Sequence, residues 1–325
     1  MASTTSRIRN KLNALWDALL HKDMSQNLGQ NQVIEPLFLK SKQIYLIDHD
    51  FSSTKVEDRY PPVLFEPCPQ SLLDRNPVDI AGYDDPQFGN RVTEFQDYVA
   101  GAELSSIRHC TNRVSSQLGA WAYTFTRRDT TSAFVNLQIM RGIYPIEEPH
   151  GILLSKGFTM STRDMKWSAN MYEHNLVVWE KELPHVIVLS KQSQIGTDDS
   201  IMYGELAQLV TIMRNRACQP EEVLIDEDQN FEDEKEEQDA RWPVRSKYVF
   251  GLEQRFPVLM VSIVGPQHGR IFFACMDGHD DLIIRKSSLF SFERLATAPW
   301  DLFSRFLLSG PLLEDKHGNL ISPRR

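Results

Sequence analysis

The sequence predicts an α+β fold, with mixed helices and strands and a mainly antiparallel C-terminal sheet packed by helices. Three observations carry that expectation. Two stretches, one at the N-terminus and one near residue 210, repeat apolar residues at helical spacing. After residue 246 the chain turns into short β-branched and aromatic runs separated by hairpin-length breakers. Hydrophobic residues at 41% and charged residues at 24% place the whole in the globular range, with enough apolar content to build a core.

The first helix is read from Ile8, Leu12, Leu15, Trp16, Leu19 and Leu20, which form one stripe, with Thr5 or Ser6 as cap. Strands are expected at Gln43–Ile47 and Pro62–Phe65, and a loop from Gln70 to Asn90, rich in Pro, Asp and Gly. Thr93 followed by Gln96 fits a capping box, and Phe95, Val99, Ala102, Cys110, Val114, Leu118 and Trp121 continue it as one long helix or two stacked ones. Ala133–Ile143 and Gly151–Leu154 are apolar enough for the core, without a decisive period. Leu176–Trp179 and His185–Leu189 read as strands. Asp198 or Asp199 caps a further helix, whose stripe is Met202, Leu206, Leu209, Val210, Met213 and Ala217. Pro220 ends it. Four strands then follow, at Lys247–Leu252, Pro257–Val264, Arg270–Cys275 and Asp281–Lys286. A closing helix runs over Pro299–Leu308, and with the Met202–Ala217 helix it is expected to cover the sheet's apolar face.

Charge divides the chain. Glu221 to Asp239 holds eleven acids and one base, Lys235, so this stretch carries −10 of a net −9 and the remainder is +1. The stretch is expected to be a solvated loop or linker. The organisation that follows is a mixed region over 1–218, either separate from the C-terminal part or one domain with it, an acidic linker over 219–240 and a β-rich region over 241–325. A near-neutral body argues against nucleic-acid binding. No apolar run reaches the ~18 residues of a membrane helix, and neither a secretory leader nor a glycosylation sequon is present, so the expected address is the cytoplasm, with the nucleus second. The four cysteines, Cys68, Cys110, Cys218 and Cys275, are too widely spaced for a disulfide framework or a zinc site and read as buried thiols.

Motifs with a known mechanism are missing. There is no phosphate loop, no Gly-x-Gly-x-x-Gly, no His-Glu-x-x-His and no Gly-x-Ser-x-Gly; Gly151 to Gly157 carries its Lys before the second Gly. Glu147-Glu148-Pro149-His150 has the residue types for metal or acid–base chemistry but reads more simply as a solvated turn. His109 and Cys110 diverge on a helix and cannot act as a dyad. His268 sits in a turn and is expected to be exposed. The catalytic candidates are Glu205, Asp277 and Asp281. A helix carrying a Glu, followed by strands carrying acids, is the order of nuclease-like folds that hold Mg²⁺ beside a Lys. Here, however, Glu253-Gln254-Arg255 stands where such folds have Glu-x-Lys, and an ordinary helix would carry Glu205 on its solvent face.

The segment Pro257 to Phe292, with Gly265-Pro-Gln-His-Gly-Arg270 and Leu282-Ile-Ile-Arg-Lys-Ser-Ser-Leu-Phe290, resembles the C-terminal part of a group of uncharacterised proteins of filamentous fungi. The helix containing Gly204-Glu-Leu206 and Arg214-Asn-Arg216 is similar to the element preceding it there. That group has no assigned activity, so the resemblance implies no functional residue. The expectation is a non-enzymatic intracellular binding or accessory protein, without cofactor or metal, whose partner is a protein or a small molecule and whose platform is the β-rich C-terminal region. The alternative is a divergent metal-dependent hydrolase or nuclease-like enzyme centred on Glu205, Asp277 and Asp281.

Overall fold

The computed structural model describes residues 4–20, 33–52, 60–78, 95–101, 106–124, 127–128, 134–146, 167–174, 182–221, 247–314 and 319–322. The helices are α1 (Thr4–Leu20), α2 (Pro36–Ser41), α3 (Gln70–Arg75), α4 (Ile107–Gly119), α5 (Leu137–Met140), α6 (Tyr203–Ala217) and α7 (Trp300–Leu307), and a π-turn, Ala120–Thr124, extends α4. The strands are β1 (Ile44–Asp48), β2 (Phe65–Glu66), β3 (Arg127–Arg128), β4 (Phe134–Val135), β5 (Ile143–Pro145), β6 (Trp167–His174), β7 (Val186–Ile195), β8 (Val258–Gly265), β9 (His268–Met276), β10 (Leu282–Lys286), β11 (Phe290–Ser291), β12 (Gly310–Pro311), β13 (Leu313–Glu314) and β14 (Leu320–Ile321).

Among the described residues the chain is α+β. One sheet dominates, in the order β1-β10-β9-β8-β7-β6-β5, with β11 added beside β9. It is mixed and mostly antiparallel: only β1–β10 and β7–β8 run parallel. Both parallel pairs join strands from before the acidic run to strands after it, so residues before 218 and after 241 share one sheet and one core.

Strand alternation sorts the side chains onto two faces. Val186 and Val188 of β7, Val258 and Met260 of β8, and Phe272 and Ala274 of β9 face α1 and α6. Ile187, Leu189, Leu259, Val261, Ile271 and Phe273 face α4 and α7. The helix of residues 203–217 and the closing helix therefore cover opposite faces, not the same one. A sheet buried on both sides reads as continuous apolar runs, which is why β8, β9 and β10 are so strongly β-branched and aromatic.

α1 follows the expected stripe: Ile8, Leu12, Leu15 and Leu19 are buried. It straps α6 at both ends. Arg9 donates to Ala217 O (2.7 Å) and Phe250 O (2.8 Å), and Tyr203 Oη donates to Leu19 O (2.6 Å). The Arg214 guanidinium lies 4.6 Å from the centre of the Trp16 ring. Strapped in this way, α6 is buried on every side. Gly204 is what lets its first turn approach the sheet: a Cβ there would meet Gln192 Oε1 at 2.3 Å and the Trp167 ring at 2.9 Å.

Several expectations are corrected. Residues 95–101 are not helical. Their polar groups are spent on the 293–295 turn, through Tyr98 N to Glu293 O (2.8 Å) and Leu295 N to Asp97 Oδ1 (2.8 Å), and Gly101 adopts φ 80. The helix starts at Ile107, with Ser106 accepting from His109 N. Residues 249–252 form a turn after a single bridge from Pro220 to Tyr248, not a strand. The Pro62–Phe65 strand shrinks to β2, since Pro61 and Pro62 have no N–H to give. Gln70–Arg75 is helical where a loop was expected. Leu176–Trp179, Glu147–His150, Gly151–Gly157 and the acidic run beyond Glu221 lie outside the described residues. All four cysteines are buried and free. No described helix is long and apolar enough to cross a membrane.

Two buried histidines hold the C-terminal tail against the sheet. His174 Nε2 contacts Ser309 O at 3.0 Å and His185 Nε2 contacts Leu312 O at 3.0 Å; a carbonyl only accepts, so both Nε2 atoms carry the proton. Burial pushes His174 down to about 4. It pushes His185 down to about 3, with His174 itself contributing. Below the ordinary histidine value of 6.5 the unfolded chain binds protons here that the folded chain refuses. Stability is therefore complete above that value and is lost as pH falls through it towards 3. The urea midpoint is expected to drop between about pH 7.5 and pH 5. His185→Gln should reduce the acid-side slope by close to one proton, and an unchanged slope would contradict the assignment.

Candidate functional site

Glu205 stands at the third position of α6, and the structure puts it in the deepest interior. Its two oxygens receive Met202 N (2.9 Å), Ser262 Oγ (2.8 Å), Arg270 Nε (3.0 Å) and Arg270 Nη2 (2.5 Å). Neither Glu205 nor Arg270 has exposed side-chain surface. The helix is capped at Met202, not at Asp198 or Asp199, because Glu205 turns back and satisfies the Met202 N–H itself. Arg270 Nη1 goes on to Thr197 O (2.7 Å) and Ser200 O (2.9 Å), so the pair also fixes the loop 196–201. Lys286 fastens the same loop from the next strand, bonding Asp198 O and the Asp48 carboxylate.

Glu205, Asp277 and Asp281 are not brought together. Arg270 lies near the start of β9 and Asp277 just past its end, a separation of about 20 Å along a strand. Asp277 organises the β9–β10 turn, accepting from His279 N (2.7 Å) and Asp281 N (3.2 Å). Burial, then repulsion from Asp277, raises the Asp281 carboxyl above its usual range. No group of three or more His, Cys, Asp or Glu among the described residues is placed to hold a metal ion. His109 is exposed while Cys110 is buried, so the two diverge as expected. His268 is half-buried at the start of β9.

The concave surface lies along β1. A groove of about 1180 Å³ runs beside the strand, walled by Ile34, Leu39, Ile44, Leu46 and Ile201, with Asp199 and Asp281 at its border. A polar hollow of about 410 Å³ continues it past the end of β1, lined by Asp48, His49, Asp198, Lys286 and Ser287. The Lys286 amine is already engaged by two acceptors, and Ser287 Oγ accepts from Ile271 N (2.9 Å) and donates to Ser288 O (2.7 Å). Leu37, Tyr45 and Tyr60, 76%, 50% and 57% exposed, stand on or beside the elements that form the groove.

Among the described residues β1 is the outermost strand on its side of the sheet. Leu282 N reaches Gln43 O (3.0 Å) and His49 N reaches Lys286 O (2.8 Å). In a parallel ladder the odd-numbered residues from Gln43 to His49 therefore turn their backbone groups to β10, and Ile44, Leu46 and Asp48 turn theirs outward. Among the described residues no backbone group hydrogen-bonds the outward N–H and C=O of those three. Sequence reasoning found β1 as a strand but not as an edge, since neighbours in a sheet are set by residues far away in the chain.

Comparison with family models, curated proteins and solved structures gives no match to this chain.

Glu205→Gln keeps the shape and removes the charge, leaving Arg270 cationic in a dry interior. The expected loss, read by urea denaturation, is about 3–5 kcal/mol. A loss below about 1 kcal/mol would mean that the pair does not hold the core.

Proposed function

We propose that this is a non-enzymatic binding protein that takes up an extended polypeptide segment as an added strand along β1. The observation that carries the reading is the contrast between the two sheet edges. β5 is protected as edges usually are: it is three residues long and ends on Pro145. β1 has no Pro and no bulge, and its single charge, Asp48, sits at the last position. An open edge flanked by an apolar groove suits main-chain pairing, with side-chain pockets selecting the sequence. The groove exceeds the ~300–1,000 Å³ typical of small-molecule sites, which favours a polypeptide over a compact ligand. The exposed Tyr45 and Tyr60 supply the amphipathic anchors common at such surfaces. The enzyme alternative has less support, because the oxygens of Glu205 are fully occupied by protein donors.

The test is selection of binders from a displayed random dodecapeptide library, followed by backbone N-methylation of a selected peptide one residue at a time. Strand addition predicts losses of about tenfold or more at every second position and small effects between, because alternate N–H groups face the protein. Leu46→Pro, which removes an outward N–H and no bond to β10, should abolish binding, and Leu46→Ala should only weaken it. Failure to select any peptide, or sensitivity without the period of two, would overturn the reading.

A further inference from the structure

The two ends of β1 carry opposite charge. Lys40, in the last turn of α2, and Lys42, in the turn that leads from it into the strand, stand at its start, and Asp48 and Asp50 close it. Lys40, Asp48 and Asp50 are exposed, and the Asp48 side chain keeps 86% of its surface although Lys286 contacts one oxygen. Between the charged ends lie the outward backbone groups of Ile44 and Leu46 and the half-exposed ring of Tyr45. An edge that is basic at one end, apolar in the middle and acidic at the other is complementary to itself when turned end for end.

We infer that the strand received by β1 is β1 of a second copy of this chain, giving a two-fold dimer with a continuous sheet; this rests on the strand-addition reading above. Antiparallel pairing centred on Tyr45 sets Ile44 of one copy opposite Leu46 of the other, each such pair exchanging both N–H···O bonds. Tyr45 then faces its own symmetry mate at the close-spaced position, where cross-strand aromatic pairs stabilise a sheet. The same two-fold brings the basic start of each copy's strand to the acidic end of the other, Lys42 towards Asp48 and Lys40 towards Asp50. A parallel arrangement would instead set like charges side by side. An isologous contact of this kind uses up both β1 edges and closes on itself, leaving only the short, Pro-ended β5 at each end of the joined sheet.

The full chain is to be examined by sedimentation equilibrium from about 1 to 200 µM, where the average mass should rise from 37.4 kDa towards twice that value, less so at high salt. Leu46→Pro should hold the chain at the monomer mass. Lys40→Glu and Asp50→Lys, which face each other in this register, should each weaken association about 3–10-fold, and an equimolar mixture of the two variants should recover most of it. The charge variants lie outside the core and keep the question open to test should Leu46→Pro fail to fold. A synthetic peptide of residues 40–50 is titrated in parallel. A chain monomeric throughout that still binds this peptide overturns the inference and leaves the strand-addition reading standing. A monomer that binds neither this peptide nor a library peptide removes both. A dimer indifferent to Leu46→Pro and to both charge changes places the contact elsewhere and also overturns the inference.

Discussion

The fold is organised around one buried ion pair. Glu205 and Arg270 join the first turn of α6, and the loop that leads from β7 into it, to the centre of the sheet 65 residues away. Two charges in a dry interior are stable together only if every donor and acceptor around them is satisfied. That condition is met on the carboxylate by a backbone N–H, a hydroxyl and a guanidinium, and on the guanidinium by two carbonyls besides. Apolar side chains could fill the same volume in several arrangements. The pair accepts one, and it thereby sets the height and rotation at which α6 lies on the sheet. Gly204, one residue earlier, permits the approach that the pair requires.

That arrangement shapes the surface as well as the core. The carbonyls that Arg270 and Lys286 hold belong to residues 197, 198 and 200, and the same short loop borders the groove along β1 and the polar hollow beyond it. The wall of the groove is thus tied to the most buried contact in the molecule. The strand it flanks is laddered to β10 over its whole length on one side, with no described strand beyond it on the other. A surface built this way is held in shape by the core rather than by its own loops.

Local signals made part of this legible in the sequence. α1, α7 and strands β8 to β10 follow from apolar spacing and turn chemistry, which a short window contains. Thr93 misled for the converse reason: a good capping pattern lost to Gly101 and to backbone bonds made with residues 293–295, nearly 200 positions away. The start of α6 was hidden because Met202 is no capping residue and the acceptor comes from Glu205. Glu205 did stand out as an acid, but its partner Arg270 reads in sequence as an ordinary charge at a strand end. Only the packing of α6 over β8 and β9 turns a solvent-facing expectation into the core of the fold. The edge position of β1 was invisible on the same grounds, since the order of strands depends on pairings no local pattern encodes.

Glu221 and Lys247, the described residues on either side of the acidic run, are clasped: Glu221 N meets Lys247 O at 2.8 Å and Pro220 bridges Tyr248. Ends held this close together place little demand on the length between them. Doubling a loop between fixed ends adds only about 0.6 kcal/mol of closure entropy. The clasp therefore lets the number of residues between those two points change at small cost to the elements it joins.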